Sequence, residues 1–270
     1  MLYLSEEFKD GWKGADPYLM LQAMQGTVYR QARGRKTMQF ALNNKSYFVK
    51  LHTGVGWGEI LKNLTQGRLP ILGAGNEWLA LQRLRELGVD SMHPVAFGSR
   101  GLNPANRQSF IITEALKGTV SLEDFCAAWP SQRPDFALKK ALINRVADVA
   151  RTLHHNGICH RDFYICHFLL HRNSLQSSLD KDYSNIKLSL IDLHRALIKK
   201  RLTRRWVIKD VSGLYFSTMD IGLTRTDRLR FISRYESKPP RQALTARASF
   251  WARVQARAAA LYQQQQKCDT

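Results

Sequence analysis

Ile158-Cys159-His160-Arg161-Asp162-Phe163-Tyr164-Ile165-Cys166-His167 lies between a stretch of helical apolar spacing and a strand-like run, Phe168-Leu169-Leu170, with Ile191-Asp192 following further on. This order of parts is that of a phosphotransferase catalytic loop. Phosphoryl transfer needs one carboxylate to orient the attacking hydroxyl and take its proton, and a second to hold the magnesium ion that bridges the nucleotide phosphates. Asp162 is the candidate for the first role and Asp192 for the second. Three polar residues in a row recur by chance, so the weight rests on what precedes them.

Upstream, Ser46-Tyr47-Phe48-Val49-Lys50-Leu51 reads as a strand with one cation near its end, where kinases keep the lysine that grips the phosphates. Asn76-Glu77-Trp78 then opens a stretch with Leu81, Leu84 and Leu87 and a stop at Gly88, the pattern of a helix. Glu77 falls in its first turn, free to pair with Lys50. Taken singly, an edge lysine is usually solvated and a first-turn glutamate usually complements the helix dipole. In order, Lys50, Glu77, Asp162 and Asp192 reproduce a kinase.

The arrangement predicts an α+β, protein-kinase-like bilobal fold. Residues 1–116 form a nucleotide-covering lobe, a small antiparallel sheet with one helix. Residues 117–270 form a larger, mostly helical catalytic and substrate-binding lobe with basic C-terminal helices. Phe110-Ile111-Ile112-Thr113-Glu114-Ala115-Leu116 reads as the last strand and the hinge. A hinge binds adenine through its backbone, so Glu114 and Leu116 are nucleotide-binding candidates by position. Leu138, Leu142, Val146, Val149 and Leu153 recur at spacings of three and four, so a long helix over 135–155 delivers the chain to the catalytic loop. The polar stretch 171–185 reads as a hairpin-like excursion, which explains why Asp192 comes so far after Asp162. Asp210 is expected at the start of a helix, bonding the backbone of the catalytic loop in a structural role.

The run from His160 to Leu170, together with Tyr47-Phe48-Val49-Lys50, Asn76-Glu77-Trp78 and Pro94-Val95-Ala96-Phe97-Gly98, closely resembles the lipopolysaccharide core heptose(I) kinases of Gram-negative bacteria, within the protein-kinase-like superfamily. The likeness extends over nearly the whole chain. It implies ATP and magnesium as cofactors and the first heptose of the lipopolysaccharide inner core as acceptor.

The pattern departs from ordinary protein kinases in three places. His167 stands five positions after Asp162, where an asparagine would bind a second metal. Imidazole can ligate a divalent ion while magnesium prefers oxygen, so His167 is a candidate metal ligand and the number of metals stays open. Leu193-His194 follows Asp192 in place of Phe-Gly. The phosphate-covering turn holds only Gly34, preceded by Gly26, and is basic instead, with Arg30, Arg33, Arg35 and Lys36. The glycines of Gly54-Val55-Gly56-Trp57-Gly58 and Gly73-Ala74-Gly75 suit either a sugar cradle or a flexible connection; the resemblance favours a substrate-related use.

The 270 residues carry 41 Lys and Arg against 22 Asp and Glu, a net charge of +19, with enough apolar material (44%) for a core. From residue 199 onward there are 16 basic and 5 acidic residues, so the last quarter supplies +11 of the total. Such a field attracts an anionic membrane surface, an acidic carrier protein or nucleic acid. The basic runs Lys199-Lys200-Arg201 and Arg204-Arg205 lack interleaved aromatics other than Trp206, and no nucleic-acid module motif is present, so no nucleic-acid partner is expected. A non-enzymatic nucleic-acid-binding protein and a kinase of another core sugar, a small molecule or a protein are the rival readings. The final segment, with Leu244, Trp251, Val254, Ala258 and Leu261 in line, reads as a helix packed on the second lobe.

No run approaches the roughly 20 apolar residues of a membrane span, and residues 1–10 lack a secretory pattern. The expected location is cytoplasmic, peripheral on the inner face of the inner membrane. Cys126, Cys159, Cys166 and Cys268 have neither a disulfide framework nor zinc-site spacing.

Overall fold

A computed structural model of the chain describes residues 1–32, 34–65, 73–176 and 182–269 and divides them into two compact units. Arg33 of the basic turn, 66–72 of the glycine-flanked insert and 177–181 of the polar excursion lie outside the described residues.

The first unit comprises Met1–Arg83, Met92–Leu116 and Leu193–Arg195. Its strands are β1 (Leu2–Leu4), β2 (Thr27–Ala32), β3 (Arg35–Leu42), β4 (Lys45–His52), β5 (Pro94–Arg100) and β6 (Gln108–Glu114), and its helices are α1 (Glu6–Gly11), α2 (Pro17–Ala23), α3 (Gly56–Thr65) and α4 (Gly75–Glu86), which runs on past Arg83. The strands form one antiparallel sheet in the order β1-β5-β6-β4-β3-β2. Along β4 the two-residue period turns Tyr47, Val49 and Leu51 into a core with Phe8, Met38, Phe40 and Phe110, and turns Lys50 to the other face. On α4, Trp78 stacks on Phe97 of β5 with centroids 5.0 Å apart, which fixes the helix on the sheet.

One helix was expected in this unit; α1, α2 and α3 are additional. The first two are too short to show a helical period. Their sequence signal was local, as in Asp16-Pro17, where the Asp16 carboxylate accepts the Tyr18 N–H at 2.8 Å and Pro17 occupies the first turn. The third lies in the glycine-flanked insert, so Gly56 to Thr65 is a helix and not a flexible connection.

The second unit comprises Leu84–Ser91, Lys117–Asp192 and Ala196–Thr270. It contains β7 (Thr119–Ser121), α5 (Leu122–Cys126), α6 (Phe136–His155), β8 (Ile158–Cys159), β9 (Phe168–His171), α7 (Asn173–Gln176), β10 (Leu188–Leu190), β11 (Leu197–Ile198), α8 (Arg204–Phe216), α9 (Arg225–Glu236), α10 (Pro240–Ala246) and α11 (Ala248–Asp269). Ser121 caps α5 by accepting the Asp124 N–H, and Asp135 caps α6 by accepting the Leu138 N–H. The stripe Leu142, Val146, Val149 and Leu153 is buried, as its spacing predicts. Helix α6 packs on α9, and α8 on α11, where Trp251, Val254 and Ala258 are buried. The final segment is two helices, because Arg247 caps α10 in a non-helical conformation before α11 begins.

Helix α6 ends at Asn156-Gly157, with Gly157 at φ +75°; a Cβ there would lie 1.8 Å from the Lys199 carbonyl oxygen. The turn feeds β8, which pairs with β11, and the catalytic loop follows. Among the described residues, no helix is long and apolar enough to cross a membrane.

Candidate active site

In the first unit, Lys50 Nζ lies 2.7 Å from Glu77 Oε1. Glu77 is only 1% exposed and its Oε2 has no hydrogen-bond partner, while Lys50 stays partly open. A buried carboxylate with half of its acceptor capacity unused is costly, so the pair is a device for aiming the lysine and not a source of stability. Gly34 closes the β2–β3 turn at φ +73°, and a Cβ there would lie 2.0 Å from the Gly54 carbonyl oxygen. Its own carbonyl accepts the Thr53 N–H at 3.0 Å, so the turn is locked onto the start of the insert. At the hinge, the Glu114 N–H donates to the His93 carbonyl and the Ala115 N–H to the Ser46 carbonyl. The Glu114 amide is thus already engaged within the protein.

In the second unit the β9–β10 hairpin does what the long interval required. Its register sets Phe168 opposite Leu190, and the Ile191 N–H donates to the His167 carbonyl at 2.9 Å. The His160 ring closes the stitch, its Nε2 donating to the Ile191 carbonyl at 2.9 Å. Asp192 is thereby brought beside the catalytic loop, at φ +63°.

His167 joins the two acids. Its Nδ1 donates to the Asp162 carbonyl at 2.7 Å, and its Nε2 lies 3.7 Å from Asp192 Oδ2. The Asp162 carbonyl takes the Nδ1 proton, and Nε2 is the ring nitrogen that faces the Asp192 carboxylate. The Asp192 carboxylate suits magnesium completed by phosphate and water oxygens, while the imidazole of His167 is a softer donor than that ion ordinarily takes. Among the described residues no cluster of three metal-binding side chains exists, and burial pushes the Cys166 thiol up to about 11, away from a metal-ready thiolate.

The loop itself is strained and held. Arg161 sits at φ +73°, a costly conformation for a residue with a Cβ. The Asp210 carboxylate accepts the His160 N–H at 2.6 Å and the Arg161 N–H at 2.8 Å, which over-determines that backbone. Asp210 lies in the middle of α8, not at its start; the side chain reaches the loop from a helix packed beneath it. Burial alone would raise its pKa, but hydrogen bonding and charge from His154, with the His160 ring and amide, reverse this and hold it below the usual carboxylate range. His154 was missed by sequence reasoning. It ends the buried stripe of α6, with Nε2 3.4 Å from Asp210 and Nδ1 2.8 Å from the Tyr235 hydroxyl, and its signal was a histidine on an apolar helix face one turn before the loop. Leu193, in place of the usual phenylalanine, is fully buried.

Residues 20–235 match the model of the lipopolysaccharide kinase (Kdo/WaaP) family. The chain belongs to that family. Its relatives include the lipopolysaccharide core heptose(I) kinase WaaP of Pseudomonas aeruginosa PAO1, 46% identical over 266 residues that cover 98% of this chain and 97% of that protein. The protein of the same name from Escherichia coli K12 is 48% identical over 245 residues, 91% of each chain. A solved structure described as WaaP in complex with acyl carrier protein superposes with a TM-score of 0.83 at 42% identity, covering 97% of this chain and 99% of that one. The fold of this Kdo/WaaP-family chain is thus α+β and kinase-like, and the family's activity is that of a kinase.

Proposed function

We propose that the chain transfers the γ-phosphate of ATP to the first heptose of the lipopolysaccharide inner core. The observation that carries the chemistry is the placement of the Asp192 carboxylate beside the His167 ring, which the Asp162 carbonyl holds with Nε2 3.7 Å from Asp192 Oδ2; the relatives' names carry the acceptor. Lys50, aimed by Glu77, binds the nucleotide phosphates. Gly34 and the basic turn cover them, and the Glu114 carbonyl and Leu116 amide receive adenine. Asp192 and His167 hold magnesium, which when bound neutralises charge on the phosphates. Asp162 orients the sugar hydroxyl and accepts its proton, and no covalent enzyme intermediate is needed.

A lipid-linked acceptor places the protein in the cytoplasm on the inner face of the inner membrane, where its positive charge favours anionic lipid. An acidic carrier protein is the second proposed partner. Within the second unit, a cavity of about 530 Å³ is lined largely by apolar side chains including Leu142, Val146, Ile165, Leu214, Phe231 and Trp251. That volume suits the acyl chain that an acyl carrier protein delivers, and the structural relative is described with such a protein.

The test is acceptor competition: the purified chain receives labelled ATP, magnesium and heptose-containing core lipid beside a protein and an aminoglycoside acceptor. The label is expected on the first heptose, located by mass spectrometry. Label on another acceptor alone would overturn the reading.

A further inference from the structure

Helix α3 has an apolar side that is largely exposed among the described residues. At 100° per residue, Ile60, Leu64, Trp57 and Leu61 fall within one arc about 100° wide, with Glu59 and Lys62 on the other side. Only Ile60 is buried, at 5% exposure; Trp57, Leu61 and Leu64 are 55%, 57% and 54% exposed. Singly exposed apolar residues are ordinary, but three on one face of one helix are a surface. The helix is also poorly able to stand alone, with ten residues, two glycines and one buried anchor.

We infer that the Trp57–Leu61–Leu64 face is a membrane-docking surface that settles into the headgroup boundary of a bilayer bearing anionic lipid. Trp beside leucines is the apolar-side composition of helices that lie in that boundary. Charge favours this occupant. Burial and Arg30 lower the pKa of Arg35 and Glu59 opposes them, so the helix's acid faces a cation of the basic turn, and the chain as a whole carries +19. The anchorage has a consequence for the site. Gly56 N–H donates to the Ala105 carbonyl at 2.9 Å, anchoring the start of α3, and the Thr53 N–H just before it donates to the Gly34 carbonyl at 3.0 Å, so the lead-in to α3 is tied to the turn proposed to cover the phosphates. A docked α3 holds that turn at a set depth from the lipid surface.

The inference rests on a lipid-linked acceptor, and its first readout is independent of phosphate transfer. Vesicles of phosphatidylethanolamine with phosphatidylglycerol should co-sediment the full chain, and Trp57→Ser/Leu61→Ser should weaken this at least tenfold with unchanged circular dichroism. Lipids brominated in the acyl chain should quench less fluorescence in Trp57→Phe than in the parent. On water-soluble, deacylated core saccharide the double variant should keep the parent's turnover, while on core lipid in vesicles it should lose most of it. Equal vesicle binding by parent and double variant would overturn the inference, as would equal loss of turnover on both acceptors, or a change confined to self-association. Vesicle binding without phosphate transfer to heptose would instead sink the proposed acceptor and leave the docking surface standing.

Discussion

At the residue scale, Asp162 should be separable from nucleotide binding. Asp162→Ala should lower turnover by about 10²–10⁴ with nucleotide affinity largely kept, the usual worth of a general base. Single-turnover assays with a fluorescent nucleotide titration check this. Asp192→Ala should also abolish the magnesium dependence of ATP binding, seen as a flat titration curve. His52 predicts a pH effect. Burial, with Arg35, Lys50 and His194 nearby, lowers its pKa from 6.5 to about 4. The folded state therefore refuses a proton that the unfolded chain accepts between those values, and stability falls as pH drops through that window. At pH 5 the loss is about 2 kcal/mol. His52→Leu should flatten the difference between urea midpoints at pH 7.5 and pH 5; an unchanged difference would exclude His52 as its source.

At the element scale, α9 is fastened by an acid that does three jobs. Asp227, 3% exposed, completes the capping box with Thr224 and lies 2.8 Å from both Lys139 Nζ on α6 and Arg230 Nη1. Thr224→Ala should cost about 1 kcal/mol, the worth of a cap. Asp227→Ala should cost about 3–5 kcal/mol, because it leaves two cations beside an apolar helix interface. Denaturant melts of the two variants give the ranking. The Thr224 cap is local to the start of α9, but the partner Lys139 lies 88 positions away on another helix. The same contrast holds for Asp210: its bond to the catalytic loop was anticipated, yet its place within α8 was misjudged, since helix starts are read from local capping and this carboxylate answers to a distant backbone.

At the scale of the whole molecule, the cavity and the charge predict a carrier-dependent stability. A carrier bearing a long acyl chain should raise the melting temperature, by about 2.7 kcal/mol of stabilisation at a hundred times Kd, while the unacylated carrier should do much less. Scanning calorimetry with both forms decides whether the chain or only the acidic surface is bound.

The parts that were legible in the chain alone are the strand carrying Lys50, the helix carrying Glu77, the helix ending at His155, and the family. These are legible because hydrophobic period, caps and contiguous motifs are local properties of the chain. Only the folded chain shows that the Asp162 carbonyl holds the His167 ring beside the Asp192 carboxylate, that His154 and Tyr235 lie behind Asp210, that a cavity opens among α6, α8, α9 and α11, and that three apolar side chains of α3 are exposed among the described residues. Each depends on which faces meet after the chain has folded back on itself, and the interval along the chain carries no record of that distance.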